Sequence, residues 1–404
     1  MRKLSLTVIG FYLGILSAFS QTNPTDSSEY KSRKLNLDEV NFVSGYYHQN
    51  GDHSAVTGGI GTENLTDFAN TIELKLSNYN KKHLKNTWDF EIGIDHYSSA
   101  SSDKIDPNTI SSASYSDTRF YPSLGWNIQN EQKRTTFGLN ASFSKEFDYV
   151  SKGFGASFVK ASKDNNREFS AKLQTYLDTW SVIYPVELRT ITSSGNRRGE
   201  RSGIQGYSPR NSFSGSFALS QVVNQRLQVA IVTEPTYQSG LLATKYQRVY
   251  FTDGSERVEN LPSERMKIPV GLRANYFLDD RFIIRSFYRY YQDNWGLKAH
   301  TLELELPVKL SPFFSVSPFY RYYTQNGVSY FAPYGEHDIT ETYYTSDYDL
   351  SKFHSQYAGA NFRIVPQHGV FGLTHFNSLE IRYGHYMRNN GLHSDQLTLH
   401  LQFK

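Results

Sequence analysis

The feature that most constrains this chain is an alternation of apolar and polar residues, with a period of two, that returns segment after segment from Leu37 to the C-terminus. In the last segment Leu397, Leu399, Leu401 and Phe403 fall on one face of a strand, and Thr398, His400 and Gln402 fall on the other. A soluble sandwich would press its apolar faces together in a core. A chain this polar that keeps repeating the pattern fits a closed cylinder better, with lipid outside and water inside. The expected fold is all-β: a transmembrane antiparallel up-and-down β-barrel.

Residues 1–20 read as a secretory signal. Arg2 and Lys3 precede an apolar stretch from Leu4 to Leu16, and Ala18-Phe19-Ser20 supplies a small-x-small cleavage site before Gln21. The stretch is too short and too glycine-broken for a membrane span. Residues 21–36, with Pro24, Ser27 and Ser28, read as a flexible periplasmic lead-in, which leaves 37–404 for the barrel. The absence of cysteine excludes disulfides, thiol catalysis and a lipid-modified N-terminal cysteine. The 30 Tyr and 27 Phe suit aromatic girdles at two membrane interfaces. Lys and Arg total 42 against 39 Asp and Glu, a balance that gives no global field for nucleic acid.

About 16 strands are expected, within a range of 14 to 18, beginning at 38–47 and ending at 395–403. Gaps after even-numbered strands are mostly tight, as at Asp279-Asp280 and Ser311-Pro312. Gaps after odd-numbered strands are mostly long, as at 48–69, 98–115, 189–210, 239–265 and 325–352. Outer-membrane barrels show this asymmetry, with short periplasmic turns, long extracellular loops and both termini periplasmic. The short odd gap 148–152 and the long even gap 365–374 break the pattern. Trp88, Phe90, Ile92 and Ile94 alternate with Asp89, Glu91, Gly93 and Asp95, and Leu302, Leu304 and Leu306 with Glu303 and Glu305. A Lys or Arg facing lipid at mid-depth costs on the order of 2–4 kcal/mol, so the charged positions are expected to face the lumen. The terminal apolar strand also suits recognition by the barrel-assembly machinery, although Lys404 follows Phe403.

The stretches Leu37-Asp38-Glu39-Val40-Asn41-Phe42, Tyr46-Tyr47-His48-Gln49-Asn50-Gly51-Asp52 and Ser54 to Glu63 resemble the opening of a bacterial outer-membrane family, Bacteroidetes-type, catalogued as a domain of unknown function. Phe90 to Tyr97, Ser99 to Pro107 and Ala113 to Arg119 carry the same resemblance, which is strongest before residue 190 and extends over the mature chain. It implies a barrel of unassigned role whose gene neighbours are thioredoxin-like proteins and flavin-attachment enzymes of the cell envelope. A redox or maturation system, with periplasmic redox proteins as partners, follows as an expectation of that resemblance alone.

Three constellations are candidate sites. His48, Asp52, His53, Asp95, His96, Asp103 and Asp106 lie on neighbouring loops and strand ends, where carboxylates and imidazoles can hold a divalent cation. The Gly58-Gly59-Ile60-Gly61 stretch can fold inward there as a constriction, and the bland alternative is a set of solvated turns. If the loop at Trp295 is a hairpin axis, Arg285 falls opposite Glu305, Glu303 sits diagonally between Arg285 and Arg289, and Arg321 lies beside Glu303. This lumenal network either sets ion selectivity or stiffens the wall. The third is a basic loop with Arg197, Arg198, Arg201 and Arg210, suited to lipopolysaccharide or another anion, or simply solvated.

The reading that follows is a channel for small hydrophilic solutes or ions, in contact with outer-membrane lipids and lipopolysaccharide, with no cofactor beyond a candidate loop-bound cation. An accessory barrel of an envelope redox system is the first alternative. The second is a rim-site hydrolase built on Asp52-His53 or Asp95-His96, weakened because adjacent strand residues point oppositely.

Overall fold

The computed structural model describes residues 33–98, 104, 116–189 and 204–404. The expected signal and most of the lead-in lie outside the described residues. Sixteen antiparallel strands close into one barrel. The first eight are β1 (Asn36–Gly51), β2 (Glu63–Tyr79), β3 (Lys85–Ser98), β4 (Ser116–Asn130), β5 (Thr135–Lys145), β6 (Tyr149–Ala161), β7 (Arg167–Ile183) and β8 (Ile204–Val222). Next come β9 (Leu227–Thr233 with Thr236–Gly240), β10 (Glu264–Phe277), β11 (Ile283–Asp293) and β12 (Lys298–Glu305 with Val308–Ser311). The last four are β13 (Phe314–Gln325), β14 (Phe353–Ile364), β15 (Phe376–Arg388) and β16 (His393–Phe403). The interruptions in β9 and β12 fall at Pro235 and Pro307, which have no N–H to give to the ladder.

Each strand pairs with its chain neighbours, and β1 pairs with both β2 and β16, so no edge remains. At the seam Val40 lies opposite Phe403 and His48 opposite Asp395. The long turn 365–375 is not a miscounted strand pair. Its short helical turn Val370–Gly372 folds over the seam, where buried Val370 packs with Val40, Phe376 and Phe403.

Two boundaries differ from expectation. β7 ends at Ile183, because Pro185 opens the turn Val186–Leu188, and β8 begins at Ile204. Arg210 therefore sits on a strand and not in a basic loop. The start of β8 escapes the sequence pattern because its outward positions carry only Tyr207 and Pro209 where apolar alternation would be the signal.

The two faces separate as the alternation requires. Phe90, Ile92, Leu219, Ile231, Leu272, Leu302 and Leu304 are exposed large hydrophobics on the outside of the sheet. The compact hydrophobic core lies at the end of the barrel that carries the long loops, between L5 (241–263) and L7 (326–352), where Leu242, Ala243, Leu261 and Val328 bury Trp295 and Leu297. Partly buried Tyr291 and Tyr323, both inward-facing, pack on this core together with buried Ala299. L5 and L7 thus line the long-loop end of the lumen from within.

Candidate functional site

The lumen is the first candidate, and the strand register assigns its walls. Glu39 and Glu73 share the inward face of β1 and β2 with Asp89, Glu91 and Asp95 of β3. Asn41 donates to Glu73 at 2.9 Å, Asn127 to Asp89 at 3.0 Å, and the Tyr121 hydroxyl to Asp95 at 2.6 Å. Lys75, 4.0 Å from Glu39, is one of the few cations on this side. Inward positions of β10–β15 carry Arg273, Arg285, Arg289, Arg321, Arg363 and Arg382, relieved by Glu303, Glu305 and Glu380. In a ring of sixteen, β1–β4 and β10–β13 lie on opposite sides. An acidic wall therefore faces a basic one across the lumen.

On the basic wall the structure places Arg285 opposite Glu305 and Glu303 opposite Arg321. The ion pairs measure 3.5 Å for Arg285–Glu305 and 2.9 Å for Arg321–Glu303. Both arginines are about half exposed to the lumen, so each pair is worth only about 0–1 kcal/mol of stability. Arg289 faces Thr301 on one neighbour and Gly271 on the other. A cavity of about 520 Å³ opens against Arg273, Arg285, Phe287, Glu303 and Glu305. The hairpin at Trp295 sets this register: Asp293 accepts from the Trp295 and Leu297 amides at 3.0 and 3.1 Å, and Arg265 donates to Asp293 while lying over the Trp295 ring.

The second candidate is the cap formed by external loops. Buried Arg248 donates to Glu187 of the segment after β7 and, at 2.9 Å, to the Val56 carbonyl of L1 (52–62). His337 is fully buried, with Nδ1 2.7 Å from Glu341 and Nε2 3.0 Å from the Thr345 carbonyl. Glu259 is 2 % exposed and accepts from the Thr244 amide and the Thr345 hydroxyl, both at 2.5 Å. Burial, then the charge of Asp347, pushes its carboxyl up to about 7. Burial also raises Asp347, with Asp349 adding to it, and lowers the Lys245 ammonium. None of these groups carries a sequence signal, since the loops have no periodicity that marks which residues turn inward.

Among the described residues the candidate loop ligands do not converge on one point. Register puts His48 on the outer face, bonded to the Thr66 hydroxyl at 3.0 Å, and His96 on the outer face, 2.9 Å from the Thr118 hydroxyl. Asp95 points into the lumen, so the Asp95-His96 dyad is split across the wall. Asp52 and His53 do line one small pocket with Glu63, Asp347, Asp349 and Arg388. Its cation is already present: the Arg388 guanidinium lies 2.6 Å from Asp349. His53 stacks on Tyr348 at 3.8 Å and bonds the Gly59 carbonyl at 3.0 Å. Among the described residues no group of three or more acidic, histidine or cysteine ligands is arranged to hold a metal. The glycine stretch packs tightly against L5 and L7, since a Cβ on Gly58 would come within 2.7 Å of Tyr250 and one on Gly59 within 2.7 Å of Tyr348. Asp103, Asp106, Arg197, Arg198 and Arg201 lie outside the described residues. Arg210 faces Asp178 across the β7–β8 ladder, with its guanidinium 5.3 Å from the centre of the Trp180 ring.

A family model described as "Protein of unknown function (DUF3570)" matches residues 96–394. Among curated proteins no relative matches the chain. A BenF-like porin from Pseudomonas fluorescens Pf-5 is 8% identical, with 93% of this chain and 100% of that one covered and a TM-score of 0.44. OpdK of Pseudomonas aeruginosa, solved with vanillate, is 7% identical over 93% of this chain and 99% of that one, with a TM-score of 0.42. A bacterial polysaccharide outer membrane secretin is 10% identical over 91% and 98%, with a TM-score of 0.43.

Proposed function

The chain belongs to the DUF3570 family and is an outer-membrane, porin-like β-barrel, and from that premise we propose that it is a passive channel for small hydrophilic solutes or ions. The observation that carries the reading is the lumen: a closed ring of sixteen strands with charged and polar side chains inside and exposed hydrophobics outside. Barrels of about 16 strands leave an aqueous passage, whereas about 8 are filled by their own side chains. The folded loops L5 and L7 narrow the extracellular mouth and make it the selective end. In the proposed orientation the rim with short turns is periplasmic, both termini lie there, and residues 1–20 are removed on export. Lipopolysaccharide surrounds the outer half, and the barrel-assembly machinery inserts the chain.

The test is the conductance of the refolded protein in planar bilayers, with reversal potentials across a salt gradient. Stepwise conductance is expected, shifted towards cations when Arg285→Ala and Arg289→Ala remove charge from the basic wall. A protein that inserts but never conducts would discard the channel, and unaltered selectivity in the double variant would remove the charged wall from its mechanism.

A further inference from the structure

We propose that the basic wall carries a binding subsite for a small organic carboxylate with a flat apolar ring, centred on Arg273, Phe287 and Arg289. The proposal rests on the channel reading and names the class of solute that the lumen would favour. Arg273 lies directly opposite Phe287, and Arg289 follows Phe287 two positions along the same inward face. Arg285 and Arg321 on the same wall are matched by Glu305 and Glu303. Arg273 and Arg289 differ: among the described residues neither forms an ion pair, and Arg289 faces Thr301 and Gly271 across its two ladders. Two guanidinium groups that form no ion pair thus flank one aromatic ring, and the carboxylate opposite that ring, Glu303, is already engaged by Arg321.

The ring is held for such a role. The Arg273 guanidinium carbon is 5.7 Å from its centroid, so one face of Phe287 already accepts a cation. A Cβ on Gly271 would stand 2.8 Å from Phe287 and 2.9 Å from Val232, so the missing side chain is what lets the ring lie over the strand. Cavities of about 370 Å³ and 520 Å³ meet here, sharing Arg273 and Phe287 in their linings. Lys172 and Glu234 also line the first cavity, one of each sign. A carboxylate can take paired N–H donors from a guanidinium, and a planar ring can stack beside Phe287. The acidic wall across the lumen disfavours the anion on its own side and leaves this one as the place of residence.

The probe is sodium benzoate, with acetate as the anion lacking a ring and benzyl alcohol as the ring lacking a charge. In planar bilayers at low salt, benzoate is expected to interrupt the current through the whole refolded barrel in a saturable way. The half-saturating concentration should rise about tenfold in Arg273→Gln with Arg289→Gln, while Phe287→Leu should abolish the preference for benzoate over acetate. Equilibrium dialysis of benzoate against the detergent-solubilised protein reads the same site without requiring an open pore. Benzoate binding without conductance would overturn the channel and keep the subsite. Conductance with no saturable benzoate block and no binding by dialysis would overturn the subsite and keep the channel. Equal effects of benzoate, acetate and benzyl alcohol, or an unchanged benzoate response in both variants, would also overturn it.

Discussion

The Arg248 guanidinium bonds both the Glu187 carboxylate and the Val56 carbonyl, so one buried side chain of L5 joins two other segments at the long-loop end of the barrel. Glu256 stands 3.5 Å away on the same guanidinium. Replacing the arginine would leave these carboxylates facing each other without a cation. Because Glu187 and Glu256 are partly solvated, Arg248→Met is expected to lower the stability of the cap by about 1–3 kcal/mol while leaving the barrel closed. Limited chymotrypsin digestion checks this: L5 and L7 should become cleavable in the variant, with the folded barrel still migrating as a compact species on unheated gels. Equal resistance of the two proteins would remove Arg248 from the role of fastener.

The cap should also loosen as pH rises. The Glu259 carboxyl is raised to about 7 in the folded loops, whereas an unfolded glutamate titrates near 4.3. A folded-state pKa raised for an acid means that the folded cap holds the proton more tightly, so stability is fully present below about 4.3 and is lost as pH climbs through 7. Asp347 adds in the same direction. Protection of L5 and L7 from protease is therefore expected to be greater at pH 5.5 than at pH 8, and Glu259→Gln should flatten the difference. Greater protection at pH 8 in the parent protein would reverse the assignment.

Side-chain parity predicts opposite outcomes for one type of substitution on the two faces. Leu304 is exposed on the outer face of β12, and Leu304→Arg should cost about 2–4 kcal/mol in a lipid bilayer. Ser216 lines the first lumenal cavity, and Ser216→Arg should fall within about 1 kcal/mol of the parent. Denaturant midpoints in lipid vesicles separate the two, and an inverted order would mean that the sheet is inside out.

The acidic wall gives the mirror image of the arginine test. Removing charge with Asp89→Asn and Glu91→Gln should move the reversal potential towards anions, the reverse of the effect of losing Arg285 and Arg289. A shift of the same sign from both walls would show that their charges do not act on permeating ions.

Much of this architecture was legible because a barrel wall writes its two environments into alternate residues. Arg285 and Glu305 could be paired on paper because a tight turn at Trp295 fixes which residues oppose each other. The same reasoning separated Asp95 from His96. It failed where the period stops. The core around Leu242, Leu261 and Val328 joins loops far apart in the chain, and no local pattern marks their meeting. The sequence pattern leaves Arg210 in a basic loop, whereas pairing with β7 continues to Ile204. The unpaired state of Arg289 depends on Gly271 and Thr301, two neighbours that only the ladder brings to it.

Val40 and Phe403 stand side by side although almost the whole polypeptide separates them. Their meeting carries the entropy of closing a very long loop, and it can happen only after the final strand has been made. Until then β1 exposes a row of unsatisfied amides and carbonyls, a template for any other extended chain. A protein built this way has an open edge to keep shielded until that moment, and a copy shortened by its last strand will aggregate and will not settle into a narrower tube.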